Sequence, residues 1–180
     1  MRFSQLDRIT ELVPGERLVA VKSLTLAEEY LQDHFPRFPV MPGVLMMEAM
    51  FQASMWLVHA TDGFTRSTVV LKEAKQVKFN DFVEPGSQLR VTSTWTKTDN
   101  QLVMLQTQGE IDDRIAVRAR LTLDHFNQAD RGLAAESVDD YLIQERLKIF
   151  RRLQDARNLY NSQFAITNDP NRNGDHRVTT

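Results

Sequence analysis

The pattern of apolar and polar positions divides the chain into a strand, a long enclosed helix, a run of further strands and a final amphipathic helix. Residues 16–24 alternate with a period of two, which predicts a half-buried strand. Thr25 can cap a short helix through residues 27–31. Pro36, Pro39 and Pro42 forbid a regular helix and push each preceding residue towards extended geometry. Residues 34–43 therefore read as a stiff loop. From Gly43 to Ala60 the chain is apolar nearly all round, as expected of a helix surrounded by other structure. Its polar residues Glu48 and Gln52 are four apart and share one face.

After Thr61-Asp62-Gly63 the period changes to two. Val69–Leu71 begins a strand that Ala74–Phe79 continues or follows, and Glu84-Pro85-Gly86 is a turn. Gln88 to Thr98 alternates, Asp99-Asn100 is a hairpin signal, and two long strands follow at Leu102–Ile111 and Ile115–Phe126. A long helix followed by an antiparallel meander predicts an α+β fold, with one curved sheet wrapped around the helix. Residues 1–128 form this domain. Residues 129–180 form a helical extension: Ser137 is placed as an N-cap with Asp139 and Asp140 in the first turn. Tyr141, Leu142, Ile149, Leu153, Ala156 and Tyr160 recur at helical spacing over 138–164. Residues 166–180 have the composition of a disordered tail.

Composition narrows the function classes. A net charge of −2 gives no global attraction to nucleic acid or anionic membrane. The absence of cysteine excludes disulfides, thiolate metal sites and a thiol nucleophile. No apolar run follows the first basic residue, so no signal peptide is expected, and a cytoplasmic location follows. The apolar segment 43–60 carries Glu48, Gln52 and His59, which are costly in lipid; a buried helix is expected rather than a membrane span.

The chemistry concentrates between residues 34 and 52. His34 carries the one side chain type whose ordinary pKa suits proton abstraction near neutral pH. Gly43 opens a helix, where unpaired N–H groups would polarise a carbonyl oxygen. Glu48 lies on an apolar helix, where burial raises a carboxyl pKa and keeps a proton available for donation. A base, an oxyanion donor and an acid fit proton abstraction next to a carbonyl with loss of a β-hydroxyl. The residues alone favour reading His34 as a structural hydrogen-bonder, and leave Glu48 readable as a buried carboxyl that stays neutral or is hydrogen-bonded.

The stretch from His34-Phe35-Pro36 through Pro39, Pro42-Gly43-Val44 and Glu48-Ala49 to Gln52 resembles the signature of the 3-hydroxyacyl-acyl-carrier-protein dehydratases. The likeness extends over about residues 5–126 and takes in Leu6-Asp7-Arg8, Lys78-Phe79 and Val83–Leu89. It implies a hot-dog fold acting as a homodimer or a trimer of dimers, with acyl carrier protein as partner and no metal or redox cofactor. It implies that His34 of one subunit and Glu48 of the other form the acid/base pair. Gly43 and Val44 would bind the thioester oxygen, Gln52 would support Glu48, and the product would be a trans-2-enoyl thioester. Two positions depart from the family: Arg37 and Asp33 both stand where glycine is usual. An Asp beside His34 would raise the pKa of the imidazole and weaken it as a base. A thioesterase, an enoyl-CoA hydratase and a non-catalytic hot-dog subunit that binds acyl thioesters remain alternatives.

His59, His125 and His176 lack ligand-like spacing and read as structural or exposed. Met41, Met46, Met47, Met50 and Met55 suit a core, or a flexible acyl tunnel. Arg37, Lys72, Lys75 and Lys78 suit either a solvated surface or attraction of an acidic carrier.

Overall fold

The computed structural model describes residues 3–154. Six strands form one antiparallel sheet: β1 (Arg8–Val13), β2 (Arg17–Ser23), β3 (Thr68–Phe79), β4 (Gln88–Asp99), β5 (Leu102–Ile111) and β6 (Arg114–Phe126). Their spatial order is β1-β2-β4-β5-β6-β3, so β1 and β3 are the edges. Between β2 and β3 the chain makes the long helix α1 (Gly43–Thr61); after β6 it makes α2 (Glu136–Gln154).

The sheet wraps α1, which packs on β2, β3, β4, β5 and β6. This follows from the side-chain pattern. In β5, Val103, Leu105, Thr107, Gly109 and Ile111 point inward at every second position. On α1, Ala49 and Ala53 are completely buried and bring the helix close to the sheet; Met50 and Leu57 fill the space beside them. Each fully enclosed leucine, Leu18, Leu89, Leu105, Leu121 or Leu123, contributes about 1.5–3 kcal/mol by leaving water. Gly109 is required by packing, because a Cβ there would lie 2.9 Å from both Leu89 Cδ1 and Val117 Cγ1. One polar pair sits inside the core. The hydroxyls of Ser54 and Ser93 are 2.9 Å apart, and Ser54 also donates to the Met50 carbonyl at 2.8 Å, so neither is left unsatisfied.

The α+β architecture matches the expectation, with differences in detail. The edge strand β1 was not expected. Its pairing with β2 carries a bulge between Ile9 and Glu11, which breaks the alternation that would have announced it. Residues 68–79 form one strand with two irregularities, between Leu71 and Glu73 and between Lys75 and Lys78. The short helix expected after Thr25 is a single 3-10 turn, Glu29–Gln32, although Thr25 Oγ1 does accept from the Ala27 N–H at 3.3 Å. Too few residues separate it from the proline loop for a full helix to propagate.

Helix α2 begins at Glu136, so Ser137 lies inside it rather than capping it. The anchoring role falls to Asp139. Its carboxylate accepts the Gln128 and Ala129 N–H groups, each at 2.9 Å, and the hydroxyl of Ser67. The stretch 155–164 of the expected helix and the tail 166–180 lie outside the described residues. Among the described residues no helix is long and apolar enough to cross a membrane.

Candidate active site

The loop before α1 fixes His34. Its backbone N–H donates to the Tyr30 carbonyl at 3.1 Å, and the loop closes through Phe38 N–H to the Phe35 carbonyl at 2.7 Å and Met41 N–H to the Val83 carbonyl at 2.9 Å. The imidazole Nδ1 lies 2.9 Å from the Val40 carbonyl. A carbonyl only accepts, so Nδ1 carries the proton and Nε2 presents a lone pair, the tautomer a general base needs. The next residue, Phe35, has φ of 57°, a left-handed conformation that costs a non-glycine residue about 1–2 kcal/mol. Its ring packs 4.4 Å from that of His34. The exposed Asp33 makes no hydrogen bond to the His34 ring, whose Nδ1 is taken by Val40.

The loop runs straight into an uncapped helix start. Pro42 occupies the N-cap position and offers no side-chain acceptor. Its carbonyl receives the Leu45 and Met46 amides, while the Gly43 and Val44 amides have no acceptor among the described residues. These two N–H groups carry the partial positive charge of the helix terminus. A Cβ at position 43 would stand 3.0 Å from the half-exposed Phe79 ring, which would have to move aside to admit a larger residue. Val44 is 74% exposed, so the turn is open to an incoming group.

Further along α1, Gln52 donates from Nε2 to Glu48 Oε1 at 2.7 Å. The same amide nitrogen reaches the Phe3 carbonyl at 3.0 Å, and Gln52 Oε1 accepts the Gln5 N–H at 2.9 Å. Gln52 is thereby locked, and it aims Glu48. The half-buried Glu48 lines a cavity of about 540 Å³ together with Phe3, Phe51, Gln52, Met55 and Trp56. Met41, Met46 and Met50 are core residues, whereas Met55 faces this cavity.

The structure thus brings Glu48 and Gln52 together, and it ties His34 to the carbonyl of Val40, three residues before the Gly43 turn. Within one chain His34 does not line the Glu48 cavity. The His34 loop instead borders an uncovered aromatic patch, where Phe35, Phe38 and Phe82 are 56%, 46% and 58% exposed and Phe38 meets Phe82 edge-on at 5.5 Å.

The remaining candidates fall out as surface and core. Lys75 pairs with Glu73 at 2.9 Å and Lys72 approaches Asp124 at 3.8 Å, while Lys78 and Arg37 are exposed. His125 is buried, with Nδ1 2.9 Å from the Gln101 carbonyl and a pKa lowered by burial. His59 is fully enclosed and stacks on Phe64 at 5.4 Å, with no hydrogen-bond partner for either nitrogen among the described residues; burial pulls its pKa down to about 3. His176 lies outside the described residues. Sequence reasoning missed the amino-terminal contribution of Phe3, and it missed Arg146 and Arg152, which reach the cavity from α2. No periodicity in the sequence could have placed that helix over Glu48.

Comparison with known proteins agrees with this architecture. A family model described as a FabA-like domain matches residues 1–120. The 3-hydroxyacyl-[acyl-carrier-protein] dehydratase FabZ of Lactobacillus helveticus is 36% identical over 117 residues, covering 65% of this chain and 79% of the relative. The FabZ of Oenococcus oeni is 38% identical over 115 residues, 64% of this chain and 83% of that one. Among solved structures, the dehydratase heterocomplex ApeI:P from Xenorhabdus doucetiae aligns with a TM-score of 0.59 at 15% identity, over 70% of this chain and 85% of that one. A Streptococcus mutans protein solved with acetyl-CoA aligns with a TM-score of 0.55 at 12% identity, over 71% and 93%. At such identities the structural likeness shows a shared hot-dog fold, while the sequence matches reach further. With its uncapped glycine turn, its oriented histidine and its helix-borne glutamate, this chain belongs to the FabA-like family, as a FabZ-type 3-hydroxyacyl-[acyl-carrier-protein] dehydratase.

Proposed function

We propose that the chain removes water from 3-hydroxyacyl groups on acyl carrier protein, giving trans-2-enoyl thioesters in fatty acid biosynthesis, and that His34 and Glu48 of two different protomers perform the step. His34 Nε2 takes the proton from C2. The Gly43 and Val44 amides hold the thioester oxygen while negative charge builds on it. The C3–O bond then breaks, the Glu48 carboxyl supplies the proton that makes the departing hydroxyl water, and the C2–C3 double bond forms. The imidazolium and carboxylate left behind return to their starting states by proton exchange, so the chemistry balances without a redox group. The carrier protein is the partner, and a cytoplasmic location follows from using it.

The observation that carries this reading is the bond from His34 Nδ1 to the Val40 carbonyl, which leaves Nε2 to act as a base, in the loop that leads into a helix start whose first two amides have no acceptor among the described residues. The assignment of the pair to two protomers, in a homodimer or a trimer of dimers, rests on the uncovered surface around His34. Exposed aromatic side chains this close together suit an interface. So does β3, a 12-residue edge strand that among the described residues pairs only with β6.

The test follows enoyl absorbance with 3-hydroxyacyl carrier protein and with the CoA ester, for wild type, His34→Ala and Glu48→Gln. Each substitution should lower kcat by about 10²–10⁴-fold. Co-expressing the two inactive variants should restore about a quarter of wild-type activity, because half of the dimers regain one intact site. No enoyl product from either ester would defeat the reading in favour of a binding subunit, and release of free thiol would make the protein a thioesterase. Absence of complementation would return the pair to a single chain.

A further inference from the structure

The family match stops at residue 120, and α2 lies beyond it. Helix α2 nevertheless supplies Arg146, Ile149, Arg152 and Leu153 to the wall of the cavity that Glu48 and Gln52 line. We propose that α2 closes the acyl-binding cavity, and that Arg146 makes this cavity prefer acyl groups whose far end carries a carboxylate. This rests on the reading of Glu48 as a substrate-facing residue.

The wall is built in. Phe150 on α2 packs against Trp56 at 5.7 Å and against Phe64 at 5.0 Å. Asp139 ties the start of the helix to the segment that follows β6. Ile149 and Leu153 extend the apolar lining begun by Met55 and Trp56 on α1, which suits the methylene part of a chain.

The charges are uneven. Two acids line the cavity, and both have partners: Asp7 Oδ2 accepts the Ser23 N–H at 2.6 Å, and Glu48 Oε1 accepts from Gln52. Arg146 has no hydrogen-bond or ion-pair partner among the described residues, and partial burial pushes its pKa down. A guanidinium partly removed from water, beside apolar side chains and without a counter-ion, gains from an anion brought to it. A carboxylate matches its planar donors in a two-bond geometry. Arg152 adds a second cation to the same wall.

The test compares two saturated, unreactive ligands of equal length, hexanoyl-pantetheine and adipyl-pantetheine, by calorimetric titration of the full chain. Adipyl-pantetheine should bind about tenfold more tightly, the gain expected of one charge-assisted pair in a partly wet site. Arg146→Met should bring the ratio close to one, and Arg146→Lys should keep part of the preference. The lysine variant decides the matter if the methionine variant does not fold by circular dichroism.

Equal binding of the two ligands by wild type, or an unchanged ratio in Arg146→Met, overturns the proposal. So does a stronger Arg146-dependent gain from hexanoyl-4′-phosphopantetheine, which would assign the arginine to the phosphate of the carrier arm. Turnover separates this inference from the activity on which it rests. Dehydration of 3-hydroxyhexanoyl carrier protein with equal ligand binding removes the carboxylate preference alone. An Arg146-dependent preference without any dehydration removes the activity and leaves the subsite.

Discussion

Acidification should expose the cost of enclosing His59. The ring is 0% exposed, stacks on Phe64, and has no hydrogen-bond partner on either nitrogen among the described residues. Burial is the main reason its pKa falls from 6.5 to about 3, with the positive charges of Arg146 and His125 adding to it. The folded protein therefore keeps this ring neutral at pH values where the unfolded chain protonates it. The lowered pKa means that stability is unaffected above about pH 6.5 and is lost as pH falls from there towards 3. Each pH unit in that window costs about 1.4 kcal/mol, so moving from pH 7.5 to 4.5 removes about 3 kcal/mol through this one ring. His59→Phe keeps an aromatic ring against Phe64 and abolishes the titration. Urea unfolding of both proteins at pH 7.5, 6.5, 5.5 and 4.5 measures the effect, and the difference between the two stability curves isolates His59 from His125 and the carboxylates. The variant should gain about 3 kcal/mol on wild type over that range. Parallel curves would mean that His59 is hydrated or paired in solution, and the account of its burial would be wrong.

Three other substitutions test the architecture. Gln52→Leu leaves the Gln5 N–H without its acceptor and Glu48 without its donor. Unfolding free energy should drop by about 1–3 kcal/mol, and kcat should fall while KM changes little, as urea titration and steady-state kinetics would show. Asp139→Ala removes the acceptor of two backbone amides and of Ser67; limited proteolysis should then cleave near Gln128–Gly132 while the sheet stays intact. The Ser67 hydroxyl and these amides hold the Asp139 pKa down, so the anchor should persist above the ordinary carboxylate range and fail only as pH drops through the lowered value. Phe150→Ala takes a buried ring away from Trp56 and Phe64. It should cost about 3–5 kcal/mol and shift the fluorescence of Trp56 to the red, whereas an unshifted spectrum would argue against the docking of α2.

The elements that could be read from the sequence are those in which one periodicity runs uninterrupted. The apolar segment from Gly43 gave α1 to within a residue of its end, and β4, β5 and β6 followed from alternation. The bulge in β1 shifts the inward positions by one, so no period of two survives there. The strand order was not legible, because pairing β2 with β4 rather than β3 depends on where α1 lies. For the site, the string from His34 to Gln52 pointed to a chemistry through its family resemblance, while the residue types alone left His34 and Glu48 open to structural roles. The bond that fixes the His34 tautomer was not legible, since it reaches a backbone carbonyl, and any residue at position 40 would provide one. The amphipathic spacing of α2 showed that one face is covered. It could not show that the covering partner includes Trp56, nor that Arg146 turns towards Glu48's cavity.

The bridge that Gln52 makes to Phe3 and Gln5 has a practical consequence for handling the protein. Phe3 and Ser4 line the cavity beside Glu48. A purification tag fused in front of Met1 is therefore not a neutral handle, because it joins the chain close to the segment whose Phe3 carbonyl and Gln5 amide hold Gln52 against Glu48. Kinetic constants should be taken from protein from which such a leader has been cleaved.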